Sequence, residues 1–370
     1  MFSQPQKHPG LLILSTILPA TLLSLLLVKS LKAGPLTPSG SDYPLYLPFI
    51  QRGPTTPSLE PIQLACASDS WTVTWSNNDT AVTYQLQEAH DPNFTAPLTY
   101  TTMLTSQLIS NPPSPHNIYH YQVRSTAGSL ASNWSNSVSV VGSFFDDFTD
   151  PNSGWADGET SISTVGYDSG NYFIRTKDTG DPTLAFLATS LSPDVSRTNY
   201  IIEADIHWQS GSATDGLYGL VFGSTADLSK YYFVALFPDT QSYRLFYFDS
   251  TLPVSDRLQP LSPLDSNPTI QPGTAVNHVR LDRIGQNITL QINGIDLGSW
   301  MDNRLTGPTH AGVIAVANPN VDPVVEARFD NFKTSACPGA TAVSPHHFKP
   351  TALISLTPPI PLEALFDHSK

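Results

Sequence analysis

The sequence predicts an all-β protein with two β-sandwich modules, and three observations favour this fold class. Apolar and polar residues alternate over runs of about four to eight positions, which is the pattern of strands with one buried face. Turn-forming residues separate these runs. Only 13% of the residues are charged and 33 are proline, a composition that disfavours helices. A chain of 370 residues has room for two such modules, a leader and a tail.

Composition divides the chain into five segments. Residues 1–33 contain an apolar run, and residues 34–57 are rich in proline, which favours an extended linker. The two β modules are predicted over residues 58–142 and 143–337. In residues 338–370 proline recurs without apolar periodicity, so we expect a disordered tail or one that docks loosely.

The apolar run near the N-terminus indicates export. It covers residues 11–28 and lies between the length of a signal-peptide core and that of a membrane span. Lys29 and Lys32 follow it, and the site after them is poor for cleavage. We therefore expect either a removed signal peptide or a retained N-terminal membrane anchor, and an extracellular or cell-surface location.

The chain contains two cysteines, Cys66 and Cys337. An exported chain meets an oxidising compartment, so a disulfide would join the beginning of the first module to the end of the second. The alternative is two unrelated buried thiols. No Cys or His lies near either residue at the spacing of metal ligands, which disfavours a metal role.

The net charge of −13 limits the classes of partner. Most of it falls in the second module, where acidic residues outnumber basic ones about two to one. Phosphate binding needs clustered Lys and Arg, so we expect no nucleic-acid partner. The sequence leaves the oligomeric state open.

Aromatic residues mark the predicted strands of the first module. Residues 71–75, 82–86 and 119–123 alternate, and Trp75 and Tyr84 lie on the first two of these runs. This pattern, with the aromatic run that begins at Tyr119, resembles a fibronectin type III domain. The resemblance implies a spacer or protein-contact module whose aromatic residues form the core.

Two phenylalanine-rich motifs open and close the second module, at residues 144–148 and 329–332. Between them, Asn293-Gly294 is typical of a two-residue hairpin turn, so residues 288–292 and 295–300 should pair. Further strands are predicted over residues 171–175, 200–208, 217–222, 231–237, 243–248, 279–283 and 312–317. The order of these motifs resembles the concanavalin A-like lectin/glucanase superfamily, particularly its bacterial branch similar to the 3-keto-disaccharide hydrolase-like domain. The resemblance implies a jelly roll of two sheets whose concave face binds saccharide in many relatives and cleaves glycosides in some.

One predicted strand carries candidates for catalysis. Glu203, Asp205 and His207 alternate along it and should project from one face. Glucanases of the superfamily place a second Glu two or three positions after such a Glu-x-Asp pair, where this chain has His207 and Trp208. Because retaining hydrolysis needs two carboxyl groups about 5 to 5.5 Å apart, the motif lacks its second carboxylate. We weigh a structural strand face, a sugar-contacting face and, with Glu203 and Asp205 as candidates, a catalytic face.

These observations lead us to expect a non-catalytic protein that binds carbohydrate or a surface, with a polysaccharide or cell-surface glycan as ligand. The alternatives are a glycoside hydrolase and a structural surface protein without a small ligand. Sugar binding needs aromatic platforms beside polar groups. The expected neighbours of Glu203, Asp205 and His207 on the concave face are Tyr218, Tyr232, Arg244 and Tyr247.

A structural calcium ion is the one cofactor that the resemblance suggests, because jelly-roll modules often tie their first and last strands with one. Asp146, Asp147 and Asp330 lie on the strands that would meet there. Carboxylates could begin the oxygen cage that calcium requires. The alternative is that these residues point outward while Phe145, Phe148, Phe329 and Phe332 fill the core.

Overall fold

The computed structural model describes residues 52–77, 79, 82–110, 118–211, 216–337, 360–361 and 365. These residues belong to one compact unit that begins at Arg52. The predicted leader and most of the proline-rich linker lie outside the described residues. Within them the elements are strands apart from a 3₁₀ turn at Val254–Asp256 and a helical conformation at Leu365, and no helix is long and apolar enough to span a membrane. The protein is all-β, as predicted.

The first module is a small sandwich of two sheets. One sheet has the order β1-β2-β5, and the other has the order β4-β3-β6-β7 with β8 paired to β6. The aromatic residues that the sequence placed in its core, including Trp75 and Tyr84, are buried in one cluster between the sheets. The strands are β1 Ser58–Leu59, β2 Ser70–Ser76, β3 Thr83–Ala89, β4 Leu98–Thr102, β5 Ser106–Ser110, β6 Ile118–Ala127, β7 Leu130–Ala131 and β8 Val138–Val141.

The second module is a larger sandwich. Its strands are β9 Phe144–Asp146, β10 Gly158–Glu159, β11 Ser163–Asp168, β12 Asn171–Thr176, β13 Leu184–Ala185, β14 Ala188–Leu191, β15 Tyr200–Ser210, β16 Leu217–Ser224, β17 Lys230–Phe237, β18 Ser242–Asp249, β19 Leu258–Pro260, β20 Asp265–Ser266, β21 Asn277–Ile284, β22 Asn287–Ile292, β23 Ile295–Met301, β24 His310–Val316, β25 Glu326–Ala336 and β26 Ile360–Pro361. The strand runs predicted in this part of the sequence are confirmed.

Two antiparallel sheets make up this sandwich. Among the described strands, a nine-stranded sheet has the order β10-β11-β12-β25-β15-β21-β22-β23 with β9 paired to β25, and a seven-stranded sheet has the order β14-β24-β16-β17-β18-β19 with β20 paired to β18. One apolar core between them draws residues from both sheets, such as Ile206 on β15 and Val234 on β17. Strands β16 to β18 are buried on both faces, which explains why their sequences are apolar at nearly every position.

The side of the seven-stranded sheet that faces away from this core carries a second cluster of buried apolar residues. We call it the outer apolar cluster. It is built around Leu217, Tyr231, Phe233, Phe246, Phe248 and Ile314, together with Ile360 and Leu365 from the end of the chain. Residues 338–370 were expected to be disordered or loosely docked, and the burial of Ile360 and Leu365 fits docking at these two positions. The rest of that segment apart from Pro361 lies outside the described residues.

The predicted hairpin is confirmed. Ile292 pairs with Ile295 across a two-residue turn, and both turn residues have positive φ, 52° at Asn293 and 79° at Gly294. Positive φ at both central positions is what a type I′ turn requires and what Asn and Gly tolerate best. This hairpin fixes the register of β22 and β23 at one end of the nine-stranded sheet.

A β-bulge lies within the closing motif of the second module. Between Glu203 and Asp205 on β15, the facing register on β25 jumps from Lys333 to Asp330. Asn331 stands in this bulge with a φ of 51°. Because the extra residue resets the alternation, Phe329 and Phe332 both enter the core although they are three positions apart. Asp330 therefore faces the side of the sheet opposite to the core.

Several contacts join the two modules. Cys66 and Cys337 form a disulfide, and the Ala67 amide donates to the Ala336 carbonyl at 3.2 Å. Asp69 accepts from Lys333 Nζ at 3.1 Å and from the Ser143 hydroxyl at 2.7 Å. The disulfide thus lies in a polar junction that holds the start of the first module against the end of β25.

Candidate functional site

Glu203, Asp205 and His207 project from the nine-stranded sheet away from the core. Their neighbours in sequence on β15, such as Ile206 and Trp208, are buried in the core, whereas these three side chains are partly exposed. Strand alternation alone produces this separation. The structure therefore brings the three predicted residues together on one solvent-facing side of the sheet.

Neighbouring strands add polar side chains to the same side. We call this surface the polar face. Its residues are Phe173 on β12, Glu203, Asp205 and His207 on β15, His278 and Arg280 on β21, and Arg328 and Asp330 on β25.

Strand β21 supplies a basic partner for each of two acidic residues on β15. Arg280 Nη1 donates to Glu203 Oε1 at 2.8 Å, and His278 Nδ1 donates to Asp205 Oδ1 at 2.8 Å. Both pairs are directly opposite in the antiparallel register. Arg280 also contacts Asp282 on its own strand, so its guanidinium is held between two carboxylates. Glu203 and Asp205 are thus each paired with a basic side chain and fixed in orientation.

The Asp205–His278 pair perturbs both groups. The hydrogen bond from His278 lowers the pKa of Asp205. The same hydrogen bond raises the pKa of His278, against the opposing effect of burial. Because Nδ1 of His278 is engaged, its Nε2 is the ring nitrogen available to solvent or a ligand on this half-exposed side chain.

Asp330 lies directly across from Asp205 on β25. Burial raises the pKa of Asp330, and the nearby carboxylates of Asp205 and Asp147 raise it further. Two adjacent carboxyl groups therefore have pKa values displaced in opposite directions. Strand β15 lacks a second carboxylate after Asp205, and Asp330 on the neighbouring strand places a carboxyl group beside it.

A row of residues crosses four strands next to this pair. The cross-strand register places His207 beside Arg328, Arg328 beside Phe173, and Phe173 beside Gly166. The half-buried ring of Phe173 lies beside Gly166, where an added Cβ atom would lie 2.7 Å from Oδ1 of Asp157 and 3.5 Å from the ring. Gly166 thus leaves space for the Asp157 carboxylate, and the Phe173 ring beside it on the sheet surface is partly accessible to solvent.

Charges surround this ring. The guanidinium carbon of Arg175 lies 5.5 Å from the centroid of Phe173, within the range of a cation–π contact. Arg328 forms ion pairs with Asp168 and with Glu326, which hold its guanidinium in place beside the ring. Burial lowers the pKa of His207 and Arg328 acts in the same direction, so the imidazole is neutral at pH 7.

The polar face has the size of an extended ligand. From β11 to β21 the surface is roughly 19 Å wide, because adjacent strands lie about 4.8 Å apart. It combines one aromatic ring with fixed donors and acceptors of both charges. Such an arrangement suits a neutral, hydroxyl-rich molecule, because hydroxyls both donate and accept hydrogen bonds.

The four residues that were predicted to lie beside Glu203 are located elsewhere in the structure. Tyr218, Tyr232 and Tyr247 are buried in the core between the sheets, where alternation of β16, β17 and β18 directs them. Arg244 alternates with them and is buried on the opposite side of β18, where its Nε donates to the Ser262 carbonyl at 3.2 Å. None of the four can reach the polar face, because it belongs to the other sheet.

The hydroxyls of these buried tyrosines have structural partners. Asn277 donates to the Tyr218 hydroxyl at 2.8 Å, and the Tyr232 hydroxyl donates to Asp302 at 2.5 Å. Burial raises the pKa of Tyr218 to about 12. These contacts satisfy polar atoms at the margins of the core, as buried tyrosine requires.

The structure does not assemble the proposed calcium ligands. Asp146 is buried and accepts from the Phe148 amide at 2.8 Å, while the exposed Asp147 accepts from Thr149. Within the described ranges, no group of three or more His, Cys, Asp or Glu side chains is placed to hold a metal ion. Phe144 rather than Phe145 joins Phe148 in the core.

Sequence reasoning missed Phe173, His278, Arg280 and Arg328. Each alternates with buried neighbours on a strand that the sequence did identify, so its outward orientation could have been predicted. Their proximity to Glu203 could not have been predicted, because it depends on the strand order β12-β25-β15-β21, which joins strands far apart in the chain.

Comparisons with known proteins complete the description. No protein-family model matches the chain, and no curated protein matches it. Carbohydrate binding module CBM66 from Bacillus subtilis is 16% identical with a TM-score of 0.38, over 50% of this chain and 96% of that one. A Bacillus licheniformis beta-glucanase is 12% identical with a TM-score of 0.37, over 52% of this chain and 98% of that one.

A human fibronectin type III domain is 17% identical with a TM-score of 0.21, over 25% of this chain and 87% of that one. At these scores the likenesses identify neither a family nor a ligand for this chain.

Proposed function

We propose that this protein binds saccharide chains on the polar face and does not cleave them. The observation that carries the proposal is the row in which the partly exposed Phe173 lies between its cross-strand neighbours Gly166 and Arg328. Sugar rings stack their C–H faces on aromatic rings while their hydroxyls bond to polar neighbours. Phe173 supplies the aromatic surface, and Arg328, His207 and the carboxylates supply the hydrogen bonds.

The opposite side of the sandwich favours the same assignment. The outer apolar cluster fills that side of the seven-stranded sheet, and Ile360 and Leu365 are part of it. Its residues have little exposed surface, and its side chains offer few polar groups for hydroxyls. A hydroxyl-rich ligand therefore has its partners on the nine-stranded sheet.

The first module acts, in this proposal, as a spacer that holds the second module in a fixed orientation. The disulfide and the Asp69–Lys333 ion pair at the junction support such a role. A disulfide also favours an oxidising compartment, which agrees with the proposal that the protein works outside the cell or at its surface.

The test is binding of the full chain to a panel of soluble polysaccharides, measured by affinity gel electrophoresis and then by calorimetry. Phe173→Ala should weaken binding about two- to tenfold, since an aromatic contact contributes about 0.5 to 1.5 kcal/mol beyond its burial and 1.4 kcal/mol corresponds to tenfold. Trp134→Ala is the matched control, because Trp134 is a half-buried aromatic in a cation–π contact on the first module.

Two outcomes would contradict the proposal. Binding that Phe173→Ala leaves unchanged would place the ligand elsewhere on the molecule. The absence of binding to any glycan would favour a structural surface protein without a small ligand.

Hydrolysis is a second candidate function, and the Asp205–Asp330 pair favours it. Cross-strand neighbours have Cβ atoms about 4.5 to 5.5 Å apart, similar to the carboxyl separation of retaining glycosidases. The opposite displacements of their pKa values suit Asp330 as the acid and Asp205 as the nucleophile. Asp205, however, is engaged by His278 and Asn331, and both carboxyl groups lie on one sheet surface.

Release of reducing sugar from the same polysaccharide panel decides between the two functions. Under the hydrolysis hypothesis, Asp330→Asn abolishes product release, while Asp282→Asn on the same surface has little effect. We expect no product release from the unaltered chain.

A further inference from the structure

The end of the chain occupies a defined place on the second module. Ile360 and Leu365 are buried in the outer apolar cluster, with exposed fractions of 0% and 2%. The two-residue strand Ile360–Pro361 pairs antiparallel with Leu184–Ala185. It also lies beside the 3₁₀ turn Val254–Asp256. The segment is therefore seated between two connecting stretches that flank the seven-stranded sheet.

Aromatic rings form the surface on which this segment rests. Phe233 and Phe246 stack with ring centroids 5.1 Å apart, and Tyr231 and Phe248 lie 4.9 Å apart. All four belong to adjacent strands β17 and β18 and to the same cluster as Ile360 and Leu365. Without a cover, they would present a contiguous apolar patch of the kind that marks an interaction site.

The described pairing of the segment is short compared with that within the sheet. Its described backbone pairing extends over two residues, and its partner strand Leu184–Ala185 pairs with no other described strand. Strands β17 and β18, in contrast, pair over eight residues. A short strand that adds to a short partner and inserts apolar side chains beside it is the geometry by which extended peptides dock on β proteins.

We propose that the outer apolar cluster forms a docking groove for one apolar peptide segment, and that the chain fills it with its own C-terminal segment, which carries Ile360 and Leu365. Leu184–Ala185 supplies the backbone pairing, and the rings of β17 and β18 receive the two apolar side chains. Because the segment is tethered to the groove, its effective concentration there is high and a small contact keeps it seated. The docked segment hides the aromatic surface until it is displaced.

This inference is independent of saccharide binding, because the groove and the polar face belong to different sheets. A full chain with Ile360→Asp and Leu365→Asp should bind an environment-sensitive hydrophobic dye severalfold more strongly than the unaltered chain. A matched control carries Val276→Asp and Ile295→Asp, which place the same charges at exposed apolar residues. It should leave dye binding unchanged.

Rescue in trans tests the groove itself. A synthetic peptide of residues 355–370, added to the double variant, should exclude the dye again, and a peptide that carries the two Asp substitutions should not. Absence of rescue, or dye binding unchanged in the double variant, would overturn the proposal.

A milder variant covers the case in which the double variant fails to fold. Leu365→Ala should increase amide hydrogen exchange at Leu184 and Ala185 severalfold and leave exchange in β15 and β25 unchanged. An increase in exchange throughout the second module would show that the segment is an integral part of the core. Unchanged exchange at Leu184 and Ala185 would show that the segment does not occupy the groove. Either result contradicts the proposal.

Discussion

Asn331 donates from its side-chain amide to Oδ2 of Asp205 at 2.9 Å, and it does so from a β-bulge. The other oxygen of Asp205 accepts from His278. The carboxylate is thus held from both sides by residues of two neighbouring strands. The same bulge sends Phe329 and Phe332 into the core, so one local irregularity serves both the packing and the polar face.

Substitution of Asn331 should separate its backbone role from its side-chain role. Asn331→Gly keeps the positive φ and loses only the amide, whereas Asn331→Val places a β-branched residue in a left-handed conformation that it disfavours. We expect Asn331→Val to lower the free energy of unfolding by about 1 to 3 kcal/mol and Asn331→Gly to cost clearly less. Chemical denaturation measures both, and equal losses would contradict the assigned role of the bulge.

The pairing of Asp205 with His278 predicts a dependence on pH. The pKa of His278 is raised in the folded state above its usual value of about 6.5. The stabilisation of the fold by protonated His278 is therefore complete below about pH 6.5. It is lost as the pH rises through the raised pKa of His278 in the folded state. In Asp205→Asn, the pKa of His278 should fall, as measured by NMR titration of its ring protons. An unchanged titration would show that Asp205 is not the cause.

The disulfide predicts a change in stability when both cysteines are replaced together. Cys66→Ser combined with Cys337→Ser removes a cross-link between residues 271 positions apart. Native disulfides typically contribute about 2 to 4 kcal/mol, chiefly by restricting the unfolded chain. Thermal unfolding should show a lower transition temperature with strand content unchanged in far-UV circular dichroism. A variant as stable as the unaltered chain would contradict this expectation.

Position 219 in the seven-stranded sheet has no space for a side chain, so it requires glycine. A Cβ atom at this position of β16 would lie 1.8 Å from the Val234 carbonyl oxygen on β17, closer than any real contact. We expect Gly219→Ala to destabilise the protein by about 3 kcal/mol or to prevent folding, because backbone must move. Gly53→Ala is the control, since nothing lies within 4 Å of its added Cβ. Denaturation midpoints compare the two, and similar values would contradict the prediction.

Local chemistry made much of the second module predictable. Asn293 and Gly294 tolerate positive φ, so the turn between Ile292 and Ile295 could be placed from two residues. Alternation around Glu203, Asp205 and His207 separated one face of β15 from the other for the same reason, since the period of a strand is two. Both inferences need only neighbours in sequence.

Strand order and sheet stacking were decided by tertiary structure. Tyr218, Tyr232 and Tyr247 alternate with their neighbours along their strands, but alternation does not show which face of a strand is buried. Their side chains lie in the core because the other sheet packs against that face. Asp330 comes beside Asp205 because β25 pairs with β15 from 125 positions away, and the bulge at Asn331 selects its direction. The end of the chain was predicted to be disordered or loosely docked because its sequence has no period, and the surface that buries Ile360 and Leu365 consists of residues that distant strands bring together. The sequence by itself determines which side chains share a face of a strand. The packing of the two sheets and of the chain's end decides which face is buried, because the surfaces that cover it form only when distant strands pair.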